Sequence, residues 1–207
     1  MKKLPQKLAA AAAACLLAGS AFADIGTASV NDVTLNGSPA DAFAYQAGWN
    51  PQAGPNGDTS GFGTTFDAFG TGAAWDLLGK KDGNAPFSTT GPLTFTLSGS
   101  GSSGTWTVTN TSATQNIQLD LVFALHAGNQ GGAWLFDNQA IAAGQTLNGT
   151  WAMNWTVGNN GAHPDFSNAT IFGRDMATTP VPEPATYGML LAGLGLVGAI
   201  ARRRRGE

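Results

Sequence analysis

The chain has 207 residues, ten lysines and arginines against thirteen aspartates and glutamates, a net charge of −3, 29 glycines and one cysteine. Residues 24–180 hold eleven aspartates, no glutamate, and only Lys80, Lys81 and Arg174 as bases, a local net charge of −8. Such a surface repels nucleic acid and anionic membrane, and the single Cys15 excludes a disulfide framework or a cysteine-rich metal site.

The N-terminus opens with Lys2, Lys3 and Lys7, continues through an apolar stretch from Leu8 to Gly19, and closes on Ala21-Phe22-Ala23. That order of basic start, apolar run and small-residue exit reads as a secretory signal peptide over residues 1–23, cleaved between Ala23 and Asp24. The partners it calls for are the Sec machinery and signal peptidase. Cleavage removes Cys15, so residues 24–180 must be held by a core alone, and 157 residues suffice for one domain.

Within that domain the apolar period is two. Residues 24–92 are irregular, and "NPQAGPNGDTSGFG" from Asn50 to Gly63 reads as an exposed loop, its Gly, Pro and Asn offering no packed face. "LTFTL" at Leu93–Leu97 and "TWTVT" at Thr105–Thr109 alternate strictly, and "WAMNWTV" puts Trp151, Met153, Trp155 and Val157 on one side. Further strands are predicted at Ile117–Leu125, Ala133–Phe136 and Asn168–Phe172, separated by turn clusters such as "SGSGSSG", "HAGNQGG" and "VGNNG". The expected fold is all-β: an antiparallel β-sandwich, jelly-roll-like, with Phe95, Trp106, Val108, Leu121, Phe123, Trp134, Phe136, Trp151 and Trp155 in its core.

Catalytic patterns fit this framework poorly. Gly99–Gly104 spells G-x-G-x-x-G, yet a dinucleotide site needs those glycines to open a helix, and here β-branched alternation follows. A hairpin loop is the expected reading. No G-x-S-x-G elbow occurs; His126 and His163, the two histidines, lie at a strand end and in a loop, and no zinc spacing or calcium loop motif is present. No catalytic residue, metal ligand or cofactor is therefore assigned. Of the six tryptophans, Trp106, Trp134, Trp151 and Trp155 are expected in the core, Trp75 carries no assignment, and Trp49 stays open between core and sugar-stacking platform.

The C-terminal segment reads "VPEPATYGMLLAGLGLVGAIARRRRGE". Ala185–Ala201 is seventeen residues without a charge. As a helix it spans about 25 Å, just short of a typical hydrocarbon core of about 30 Å. Arg202, Arg203, Arg204 and Arg205 would hold its far end on the cytoplasmic side and leave the aspartate-rich domain outside. A plain anchor accounts for the apolar run and the arginines but not for Val181-Pro182-Glu183-Pro184.

That motif, followed by a Gly/Leu-rich span and an arginine cluster, resembles the PEP-CTERM protein-sorting domain. The resemblance covers residues 181–207. It implies recognition by exosortase, a membrane-embedded transpeptidase-like enzyme of Gram-negative bacteria, and an association with extracellular polysaccharide and biofilm. The expected course is export, transient anchoring in the inner membrane, removal of the tail, and release to the cell surface or matrix. For residues 24–180 two classes of function stand side by side: a noncatalytic surface or matrix component, and a secreted module that binds or hydrolyses polysaccharide.

Overall fold

The computed structural model describes residues 28–157, 161–181 and 184–204. The predicted signal peptide with its Ala23–Asp24 junction, and Pro182, Glu183 and Arg205 of the tail, lie outside the described residues.

A short 3-10 turn at Val30–Asp32 is capped by Ser29, whose hydroxyl accepts from the Asn31 amide while the Asp32 carboxylate accepts from the Ser29 amide. Eleven strands and two helices follow among the described residues: β1 Thr34–Leu35, β2 Ser38–Pro39, β3 Ala42–Ala47, α1 Gly63–Phe66, β4 Asp76–Asp82, β5 Ser88–Thr89 and β6 Leu93–Ser100. Then come β7 Ser103–Asn110, β8 Gln115–Ala127, β9 Gln130–Ile141, β10 Thr146–Ala152, β11 Asn168–Pro180 and α2 Pro184–Arg204. Every pairing is antiparallel. A six-stranded sheet in the order β3-β9-β8-β11-β4-β5 faces a three-stranded sheet, β10-β7-β6, and β1 and β2 form a separate hairpin. The all-β expectation holds, although sheets of six and three strands are not the two four-stranded sheets of a jelly roll.

Turn chemistry sets the hairpins. Gly128 and Asn129 between β8 and β9 have φ of 60° and 61°, and Asn36 and Gly37 between β1 and β2 have 52° and 82°. Positive φ at both central residues makes each the primed turn whose twist matches antiparallel strands. The G-x-G-x-x-G stretch is likewise a hairpin: Ser100 pairs with Ser103, and Gly101 at φ 65° sits in the turn.

The main core lies between the two sheets. Trp106 stacks on Phe123 with centroids 4.6 Å apart and leans on Phe136, while Trp134 stacks on Trp155 at 6.2 Å. All nine predicted core residues are buried. Strand β10 ends at Ala152, but Met153 and Trp155 continue its alternation into the core.

The opposite face of the six-stranded sheet is also covered, which the composition of Asn50–Gly63 did not suggest. Trp49, Phe62 and Phe66 are 2%, 1% and 0% exposed and pack on Val122, Ala124, Ala133, Leu135 and Phe172. Glycine is what permits this. A β-carbon on Gly61 or on Gly131 would each come within 2.3 Å of the Trp49 ring, so the indole lies against bare backbone on both the loop and β9. The Gly-rich segment supplies a slot for an aromatic, and its Trp49, Phe62 and Phe66 supply the apolar area.

Candidate functional site

Strand β11 leads directly into the tail. Its last pair is Pro180 with Gln115, and the Val181 amide donates to the Thr114 carbonyl at 2.8 Å, so the predicted motif starts where the sheet ends. Helix α2 opens on Pro184, a first helical position where a missing N–H costs nothing, and runs 21 residues to Arg204. Met189, Leu190, Leu191, Leu194, Leu196 and Val197 are 59–76% exposed, and Arg202 and Arg203 are also exposed. No helix among the described residues is long and apolar enough to cross a membrane, so the expected spanning segment is not confirmed. Gly193, Gly195 and Gly198, with the arginines at the end, dilute the apolar run. A family model for the PEP-CTERM protein-sorting motif matches residues 180–205. The chain carries a PEP-CTERM sorting motif. No curated protein and no solved structure matches the chain. The PEP-CTERM motif implies export toward the cell surface of a Gram-negative bacterium, with exosortase as the processing partner.

In the β domain that precedes the PEP-CTERM motif, the strongest electrostatic feature is Arg174, fully buried on β11. Its Nε donates to Asp120 Oδ2 at 3.1 Å, and its Nη2 donates to the carbonyls of Phe66, at 2.8 Å, and Phe69. Asp67 and Asp175 lie 3.8 and 3.9 Å away, and the guanidinium sits 4.2 Å over the Trp75 ring. Register shifts at Leu119/Leu121 and Arg174/Ala177 place Asp120 and Arg174 at two irregularities of the same sheet. Thr71 donates twice to Asp175, from its amide at 3.0 Å and from its hydroxyl, and these bonds hold the Asp175 pKa below the ordinary 3.8. Asp137 goes the other way. Burial first, then the facing Asp120 and Asp41 carboxylates, raise its pKa despite a bond from Asn138. The cluster locks the Gly48–Trp75 segment onto the sheet.

The two histidines have different neighbours. His126 Nδ1 lies 3.4 Å from Asn168 Nδ2, with burial lowering its pKa, and His163 Nδ1 lies 3.1 Å from the Trp155 carbonyl oxygen. Among the described residues no group of three or more His, Cys, Asp or Glu is placed to hold a metal ion.

Two surfaces were not legible from the sequence. The outer face of the three-stranded sheet carries three cross-strand rows: Thr94, Thr109 and Thr146; Thr96, Thr107 and Asn148; Ser98, Thr105 and Thr150. Hydroxyls pair within it, Thr96 with Thr107 at 2.7 Å and Thr109 with Thr146 at 2.8 Å, giving an uncharged lattice that also strengthens the sheet. The second surface is a groove of about 650 Å³ lined by Asn56, Trp75, Asp76, Thr90, Met176 and neighbouring prolines. Trp49, left open by the sequence, is core, and Trp75 lines this groove.

Proposed function

We propose that the protein is a noncatalytic surface or extracellular-matrix component, delivered by exosortase and freed of its tail during delivery. The observation that carries the reading is the sorting motif at residues 180–205, placed directly after a folded β domain. In this reading the signal peptide exports the chain, and α2 with Arg202–Arg205 holds it transiently at the inner membrane. Pro182 and Pro184 make this stretch a poor helix former, because proline fixes φ and disfavours helix in the residue before it. A transpeptidase-like enzyme needs such an accessible stretch. Glu183, the acidic side chain between the prolines, is the group it recognises.

The seventeen uncharged residues of Ala185–Ala201 suit transient retention better than permanent insertion, since their length of about 25 Å falls below a typical hydrocarbon core. The test is mass spectrometry of the exported protein from a host with an active exosortase. A C-terminus close to Pro184 is expected, and Glu183→Ala should leave a membrane-retained precursor that still carries the arginines. Intact Arg202–Arg205 on the surface protein would leave a plain anchor as the explanation of the tail.

A further inference from the structure

The groove beside Trp75 has the composition of a sugar site. Five of the six tryptophans are at most 2% exposed; Trp75 is partly exposed and lines the groove. Its indole is held in place from behind, by the Arg174 guanidinium at 4.2 Å and by Phe62 edge-on at 5.5 Å. An aromatic fixed before binding loses little freedom when a ligand arrives. The indole Nε1–H is itself buried, so a ligand in the groove meets the exposed part of the ring. Around it stand Asn56, Asp76 and Thr90, all exposed, which between them offer amide, carboxylate and hydroxyl groups.

Four chain segments converge there: the Gly-rich loop, the start of β4, the β5–β6 connection, and the irregular part of β11. Arg174 shares the inward face of Phe172 two residues earlier, and after the shift in β11 pairing Met176 is 41% exposed at the groove. The volume of about 650 Å³ lies within the usual range for small-ligand clefts.

We propose that this groove binds a neutral polysaccharide chain, with Trp75 as the surface on which a pyranose ring stacks and Asn56, Asp76 and Thr90 as partners for its hydroxyls. Charge selects the class: the lining has an aspartate and no lysine or arginine, in a domain of net charge −8, so an anionic polymer is rejected. The proposal rests on the surface-component reading and names what that component holds.

The test is native gel electrophoresis of the full chain, purified in detergent, through gels containing dextran, hydroxyethylcellulose or alginate. Retardation is expected in at least one of the two neutral polymers and not in alginate. Trp75→Ala should weaken binding about tenfold or more, as truncation of an aromatic anchor does. Because Trp75 also backs Arg174, Asn56→Ala and Asp76→Asn serve as exposed rim variants that should weaken binding with an unchanged melting temperature. The proposal is overturned by absence of retardation in both neutral gels, by a preference for alginate, or by unaltered binding in all three variants. Loss of binding in Thr107→Tyr alone would overturn it in favour of the threonine face. None of these outcomes bears on C-terminal processing in the host, so failure here and failure of the sorting reading are separate results.

Discussion

Replacing Asp120 by alanine removes the close carboxylate from a guanidinium that has no access to water. Deleting one partner of a buried pair costs about 3–5 kcal/mol, because the other charge is left without compensation. Asp67 and Asp175 remain 3.8 and 3.9 Å from Arg174, but their side chains are 58% and 23% exposed, so solvent screens much of what they offer. Together with the Phe66 and Phe69 carbonyls they bring the electrostatic loss to the lower end, about 3 kcal/mol. Asp120 Oδ1 also accepts from the Asn138 amide at 3.0 Å, and losing that acceptor adds about 1 kcal/mol. A total of about 4 kcal/mol corresponds to a fall in melting temperature of roughly 8–16 °C for a domain of this size. Urea unfolding followed by tryptophan fluorescence reads it directly. Asp120→Leu combined with Arg174→Met should be less destabilised than the sum of the single variants by at least about 1 kcal/mol, since an apolar replacement leaves no orphaned charge. An Asp120→Ala protein within about 1 kcal/mol of wild type, or strict additivity in the double variant, would refute the reasoning.

Trp106→Ala should cost about 3–5 kcal/mol, because the indole is 1% exposed, stacks on Phe123 and donates to the Thr34 carbonyl at 2.9 Å; an unchanged melting temperature would remove Trp106 from the core. Asp137→Asn should raise stability at pH 7. A carboxyl whose folded pKa is raised binds a proton more tightly in the folded state, so its stabilising contribution is present below the ordinary value of 3.8 and is lost as pH rises through the folded value. The gap between variant and wild type, followed by melting temperature against pH, should therefore narrow as pH falls toward 3.8; a gap independent of pH would contradict it.

The sequence by itself determined what depends on local order. Alternation at Leu93–Leu97 and Thr105–Thr109 dictated strands and their inward faces, since side chains on a strand point to opposite sides with a period of two. The sorting motif was equally plain, because proline, glutamate, a glycine-rich run and arginines are read in linear succession. β3 and β4 were not legible: "AFAYQA" and "DLLGKKD" carry weak alternation, and pairing with β9 and β11 makes them strands. Only the tertiary structure decided the second apolar layer. Burial of Trp49 depends on Gly61 and Gly131, seventy residues apart, meeting the same ring, and no local pattern announces such a meeting. The same holds for Arg174, Asp120 and the Trp75 groove. Segments distant in sequence bring them together at two irregularities of one sheet, and a one-residue change of register would turn Arg174 to the opposite face, into the apolar core between the sheets.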